Sequence, residues 1–383
     1  MEQNGKMIHL LVDCSFGRES AEMPSGIEVY TGRLLRGLNQ SNVFHTSVLM
    51  LDGMAGFWEE LAGCRLQKIV VTRGEKVSPS VKTDRLLRLV PFAGRLRELG
   101  IDVVLTPYYH RGMYIYPKRY HQHVVVHDLF YKDDDMKPLK GWKRLLAVQD
   151  KWILRHVPYV ISISHGTQKA LKEAEGVCSD VVYNSLPLYD SIAEEAVAEV
   201  EGRRYILDVN RFSRGKNVET LIRAFALVSD RVPHLLYLKG LAPDAELLRQ
   251  LKQLTAEMGV EDRVVFDTTN RKESELKYLY AHADLFVTPS LREGFGFSPL
   301  EAASLGTPVI ISDIEVLREV TCNKFPFYPP QNHEALADLI LQELKTPLSA
   351  TERQQLAGFF RERYSAGRQI AEFEKLITSH LRP

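Results

Sequence analysis

Cysteine is scarce, with four in 383 residues (Cys14, Cys64, Cys178, Cys322), widely spaced and in no C-x-x-C pair. A zinc site, a thioredoxin-type redox pair and a disulfide framework are therefore not indicated, and free buried thiols in a reducing compartment are expected. Long hydrophobic runs are missing too. The run Met7–Val12 meets Asp13, and no stretch approaches the roughly 18–20 apolar residues that a bilayer span needs. With the polar Met1–Lys6 before it, that run reads as a buried first strand and not as a secretory apolar core. Net charge is absent, 49 Lys+Arg against 49 Asp+Glu, so the basic excess of a general nucleic-acid binder is lacking. There is no short-period repeat.

What is present is a folding composition, 45% hydrophobic and 26% charged, in a chain too long for one ordinary core. Two domains of about 150–200 residues follow. The zero charge is a cancellation: residues 1–190 hold 25 basic and 21 acidic side chains, residues 191–383 hold 24 and 28. Residues 65–97 alone carry nine basic against two acidic.

Short β-branched apolar runs alternate with helical patterns throughout. Strands are predicted at Ile8–Val12, Thr46–Leu51, Gln67–Val71, Val103–Thr106, Val124–His127 and Tyr159–Ile163 in the first half. In the second half they fall at Tyr205–Val209, Leu235–Lys239, Arg263–Phe266, Leu285–Thr288 and Pro308–Ile311. Such runs, separated by amphipathic segments like Val218–Leu227, are what a parallel sheet covered on both faces requires. The stretch from Ser185 to about Gly202, with Pro187 and an acidic Glu194–Glu201 run, reads as a linker. The fold class is α/β, two doubly wound domains with a cleft between them.

The most informative segment is Ser290-Leu-Arg-Glu-Gly-Phe-Gly-Phe-Ser-Pro-Leu-Glu-Ala-Ala-Ser-Leu-Gly-Thr-Pro-Val-Ile. It follows a predicted strand, the position at which open α/β sheets bind ligands. Gly294 and Gly296 leave main-chain N–H groups approachable. Ser298-Pro299-Leu300-Glu301 is expected to open a helix with Ser298 as N-cap, offering free N–H groups and a positive dipole end to a phosphate. Glu301 has a plain reading as the partner in a capping box. Glu293 has no helix to cap, and a carboxylate there suits a hydroxyl-rich ligand. A second segment, Asp208-Val-Asn-Arg-Phe-Ser-Arg-Gly-Lys-Asn-Val, places Arg211 and Lys216 on a turn between strand and helix, where two cations can neutralise a diphosphate. A solvated basic loop is the plain alternative.

Glu293-x7-Glu301 with its glycines, Pro-Leu-Glu-Ala and the following Gly-Thr-Pro-Val-Ile resembles the signature of retaining nucleotide-sugar glycosyltransferases of family four, in particular bacterial mannosyltransferases of surface-polysaccharide assembly. The resemblance implies the GT-B fold, two Rossmann-like domains facing a central cleft. It divides the chain into an acceptor domain, 1–188, a donor domain, 189–365, and a helix, 366–383, that crosses back to the first domain. It implies that Arg211 and Lys216 hold the donor diphosphate, Glu293 the donor sugar's hydroxyls and Glu301 the ribose. Gly294, Phe295, Gly296, Phe297 and Leu300 line the same donor loop. Phe266-Asp-Thr-Thr-Asn departs from the usual glycine-containing loop, which touches the base-recognition contacts.

In the first half, Gly26-Ile-Glu-Val-Tyr30 before a helix Thr31–Leu38 resembles the family's glycine loop, with the usual Gly-Gly pair reduced to Ser25-Gly26. Val126-His127-Asp128-Leu129 resembles the strand end whose histidine contacts the donor sugar, although a strand-end histidine bonded to backbone is the plain reading of His127. Ile163-Ser164-His165 and Val182-Tyr-Asn184 sit where the family has its Val-Ser and Tyr-Asn elements.

The implied reaction moves a hexose, mannose from GDP-mannose before a UDP-sugar, to a hydroxyl of a saccharide or lipid-linked saccharide. No cofactor or metal is expected, since no Asp-x-Asp stands at a suitable strand end and Asp133-Asp134-Asp135 reads as a solvated turn. Arg85-Leu-Leu-Arg-Leu-Val-Pro-Phe-Ala-Gly-Arg-Leu-Arg, with Lys137–Arg144 and Trp142, is cationic and apolar together, which suits the anionic inner face of the cell membrane. A helix with a solvated basic face is the alternative. A cytoplasmic protein is expected. A nucleotide-sugar epimerase and a non-catalytic sugar-binding protein remain as other readings.

Overall fold

Seven parallel strands assemble from the first part of the chain: β1 (Ile8–Cys14), β2 (Phe44–Leu51), β3 (Gln67–Val71), β4 (Val103–Thr106), β5 (His123–Val126), β6 (Tyr159–Ser162) and β7 (Asp180–Val181). They order β3-β2-β1-β4-β5-β6-β7. The computed structural model describes residues 7–15, 26–71, 95–109, 113, 115–128 and 152–381. The second sheet runs β10 (Val264–Asp267), β9 (Leu235–Lys239), β8 (Tyr205–Val209), β11 (Leu285–Thr288), β12 (Val309–Ser312), β13 (Phe327–Tyr328), again all parallel. Both sheets carry the 3-2-1-4-5-6 order of a Rossmann fold. Continuous apolar runs are forced by burial on both faces, and Leu10, Leu11 and Val12 in β1, like Ile206 and Leu207 in β8, are wholly inaccessible.

The chain divides into two units, one of residues 1–185 with 366–383 and one of residues 186–365. In the first unit the last helix, Ala366–Leu381, buries Ile370, Phe373 and Ile377. Its Glu374 accepts from the Ser41 hydroxyl at 2.6 Å, and Gln369 accepts from Ser185 at 2.9 Å. Near its end, His380 stacks on Tyr159 at 4.1 Å and lies within 3.1 Å of the His123 ring nitrogen. In the second unit the helix Val218–Val228 lays Val218, Leu221, Ile222 and Phe225 on the sheet, in the pattern its three- and four-residue spacing predicts.

Several expectations are corrected. The two-residue strands β7 and β13 lie at sheet edges and are too short to leave a sequence pattern. Among the described residues the first helix spans Gly26–Asn39, so Gly26–Tyr30 lies within it and not in a preceding loop. The supposed linker is an acidic strap on the second unit: Val197 and Val200 are buried, Glu195 meets Lys272 at 3.0 Å, Glu199 meets Arg271 at 2.6 Å and Glu194 meets His282 at 2.9 Å. Its charges answer the cations around the helix Glu273–His282, a pairing that composition alone does not reveal. All four cysteines are free, but only Cys14 is buried; Cys178 is exposed. Residues 72–94, Asp133–Asp135 and Lys137–Arg144 lie outside the described residues. Among those described, no helix is long and apolar enough to cross a membrane.

Candidate active site

In a sheet of this order the connections leave in opposite directions from the two central strands, and the crevice beyond their carboxyl ends is where ligands bind. In the second unit those strands are β8 and β11. The loop after β8 carries Arg211 and Lys216, and the loop after β11 carries Glu293. The topology therefore brings the two sequence segments together.

The two loops are stitched by main-chain and side-chain bonds. Leu291 N–H donates to the Gly215 carbonyl at 2.9 Å, and the Asn217 amide donates to the Pro289 carbonyl at 3.2 Å. Asn217 holds a left-handed backbone, φ 52°, that ends the basic turn and starts the helix Val218–Val228. Asn is among the residues that tolerate this conformation. On the other side, Asn210 and Phe212 N–H groups donate to the Lys239 and Leu241 carbonyls, both at 2.9 Å. Gly240 permits this close approach, since a Cβ there would sit 1.6 Å from the Asn210 carbonyl oxygen. Phe212 is wholly buried, so the turn is anchored while its neighbour Arg211 stays exposed.

On this frame Lys216 Nζ donates to Glu293 Oε1 at 2.6 Å, with the side chains 19% and 9% exposed. An ammonium has three donors and Glu293 takes one, which leaves two for a phosphate. Arg211 makes no ion pair among the described residues, and its guanidinium fork is open to solvent. Beneath them Asp208, wholly buried at the end of β8, accepts from the Asn210 amide. Burial pushes its carboxyl up to about 8, against the lowering pull of Asn210 and Lys216.

The glycine-rich loop differs in one respect from expectation. The helix is Phe297–Ser304 and its N-cap is Gly296, at φ 84° and ψ 58°, with no side-chain cap. Ser298 lies in the first turn, so neither it nor Glu301 forms a capping box. The left-handed turn at Gly296 is cheaper for glycine than for any other residue, and it starts the helix two residues early. A Cβ at that position would also meet Leu317 Cδ2 at 2.6 Å. Ser298 and Glu301 instead meet at one side chain: the buried Tyr280 hydroxyl accepts from Ser298 and donates to the Glu301 carboxylate. Phe295 packs against Phe297 and Tyr364, with ring centroids 5.1 and 5.5 Å apart, and Leu300 is wholly buried. What Phe295 and Leu300 can offer a ligand is therefore main chain.

His127 and Gly26 belong to the first unit. His127 follows β5 directly and is buried; its Nε2–H donates to the Pro107 carbonyl at 3.0 Å, the backbone-bonded arrangement. Burial lowers its pKa to about 4, so the ring is neutral, and Tyr30 lies edge-on to it at 4.5 Å. Gly26 is exposed, with no described residue within 4 Å of where a Cβ would stand. Sequence reasoning missed Asp208, Asn210, Asn217 and Tyr280. The sole signal for the first three was polar residues at a strand exit, and for Tyr280 there was none. Among the described residues no group of three or more His, Cys, Asp or Glu is placed to hold a metal ion.

Two all-parallel Rossmann sheets in one chain, with a basic turn and a glycine-rich carboxylate loop at the switch point of the second, define the GT-B class. The family described as Glycosyl transferases group 1 matches residues 191–358, and the Glycosyl transferase 4-like domain matches residues 25–184. The chain is 29% identical over 283 residues to the O-antigen chain mannosyltransferase RfbU of Salmonella typhimurium, covering 71% of this chain and 75% of that one. It is 33% identical over 144 residues to the O-antigen chain mannosyltransferase B of Escherichia coli, 37% of each chain. It therefore spans three quarters of the first relative and little over a third of the second. In fold it is similar to a glycosyltransferase from Rickettsia africae, with a TM-score of 0.72 at 14% identity over 99% of this chain and 100% of the other. WaaG, a glycosyltransferase of lipopolysaccharide biosynthesis, gives 0.65 at 16% identity over 97% and 100%. The chain belongs to the family-four glycosyltransferases.

Proposed function

We propose that the protein is a retaining mannosyltransferase that moves mannose from GDP-mannose to a hydroxyl of a saccharide or lipid-linked saccharide during cell-surface polysaccharide assembly. The observation that carries the reading is the Lys216–Glu293 pair, with an exposed Arg211 on the same loop as Lys216, at the switch point of the second sheet. The mannosyl and polysaccharide assignments are supported by what the Salmonella and Escherichia coli relatives are named for.

The difficult step is departure of a diphosphate from a carbon that develops oxocarbenium character. Charge builds on the leaving oxygen, and groups already aimed at it lower the barrier. Arg211 and the two remaining donors of Lys216 do this, with the N–H groups at the start of the helix Phe297–Ser304. Glu293, fixed by Lys216, accepts hydrogen bonds from sugar hydroxyls; Glu301, fixed by Tyr280, does so from the ribose. Side chains thus take the place of a divalent cation. Retention by front-face transfer is carried over from the resemblance to the family; no residue at the site stands out as a nucleophile for a double displacement. The first unit takes the acceptor, and its basic sequence 65–97 favours work on the cytoplasmic side of an anionic membrane.

A panel of nucleotide sugars tests this. GDP release from GDP-mannose that survives EDTA, retains the anomeric configuration and falls sharply in Glu293→Ala and Lys216→Ala is expected. Turnover confined to UDP-sugars would overturn the donor, a product that keeps its nucleotide would indicate an epimerase, and no turnover or binding would sink the reading.

A further inference from the structure

The buried acid beneath the site has no part in the mechanism so far. Asp208, the penultimate residue of β8, has no accessible surface. Its Oδ1 accepts the Asn210 amide, and its Oδ2 has no partner among the described residues. An ionised carboxylate oxygen with no donor, sealed from water, is among the costliest arrangements a protein interior can hold. The charged and titratable groups that act on it are Lys216 from its own loop, Glu293 from the loop after β11 and Tyr328 from β13. The Tyr328 hydroxyl is likewise buried without a partner. One cation and one anion that already neutralise each other thus face a second carboxyl.

We propose that Asp208 is a positioning residue that keeps a proton beneath the Lys216–Glu293 pair and so preserves the positive balance with which the site receives a nucleoside diphosphate. With Asp208 neutral, Arg211, Lys216 and Glu293 sum to one positive charge; with Asp208 ionised they sum to zero. The carboxylate would also compete with the phosphate for Lys216. Asp208 touches no substrate in this scheme and acts through Lys216 and, by way of Asn210, through the turn that presents Arg211. The upward pull of burial on its pKa, to about 8, agrees with the geometry.

The inference rests on the donor-site reading, and calorimetry with GDP and with UDP separates the two. Wild-type affinity is expected to fall about tenfold between about pH 7 and about pH 9, as the lost charge would require at an intermediate dielectric. D208N keeps an acceptor for Asn210 and cannot ionise, so its affinity should change less than about twofold over that range. Should D208N fail to fold, the wild type alone still decides. A bound anion raises the Asp208 pKa further, so binding near pH 8 must take up protons, read from the dependence of heat on buffer ionisation enthalpy. Binding with no proton uptake, or with superimposable wild-type and D208N profiles, overturns the role of Asp208 alone. Failure of both nucleotides to bind at any pH overturns the donor site and this inference with it.

Discussion

Lys216 and Glu293, 77 positions apart in the chain, share a 2.6 Å hydrogen bond because their loops leave the two central strands of one sheet. Neither residue is placed by its own local structure. The pair is a product of strand order, and it is partly shielded from solvent on both sides.

Removing one member should therefore cost more than removing both. Lys216→Met leaves a poorly solvated carboxylate and is expected to destabilise the fold by about 1–3 kcal/mol, with partial exposure holding the cost below that of a fully buried pair. Lys216→Met with Glu293→Gln should recover most of that loss in urea unfolding while leaving turnover about 10²–10³-fold below wild type. Recovery of turnover along with stability would remove the catalytic role.

Tyr280→Phe deletes the hydroxyl that holds Glu301 and leaves the ring packing in place. A lost hydrogen bond to a charged group costs about 1.5–3 kcal/mol. If Glu301 serves ground-state binding of the donor, steady-state kinetics should show a donor KM about tenfold higher or more and a nearly unchanged kcat. An equal fall in kcat and kcat/KM would place Glu301 on the transition state instead.

Gly296→Ala tests the turn that starts the donor-loop helix. Positive φ costs a side-chain-bearing residue about 1–2 kcal/mol, and the added methyl meets Leu317 as well. A lower urea midpoint together with weaker nucleotide binding is expected. Full binding would show that the loop geometry does not serve the ligand.

The first unit should lose stability in acid through its buried histidines. Burial depresses His127 to about 4 and His123 to about 3, both below the ordinary value near 6.5. The unfolded chain then binds more protons than the native one across that interval, so stability is fully present above about pH 6.5 and declines as pH falls toward the folded values. His127→Gln keeps a donor for Pro107 and cannot charge. Its melting temperature should fall less between about pH 7 and about pH 5 than that of the wild type.

Much of this was legible in the sequence because buried parallel strands need unbroken β-branched runs, and eleven such runs were placed within a few residues of where they fold. The donor loop was legible because its glycines and carboxylates are written contiguously. What escaped has physical causes. Edge strands of two residues carry no periodicity. The true N-cap depends on the φ of Gly296, which permits but does not announce a left-handed turn. Asp208 looks polar and ordinary until the sheet closes over it. The strap Glu194–Glu201 looks solvated until the cations of its own unit are in place.

The helix Ala366–Leu381 follows the second unit in the chain yet completes the core of the first. Residues 186–365 are contiguous and can assemble as they leave the ribosome, whereas residues 1–185 must wait for a segment made after all of them. Until that segment is made, the surface that receives Ile370, Phe373 and Ile377 stays uncovered. The order of synthesis thus makes the last helix of the chain the final piece of the unit that began it.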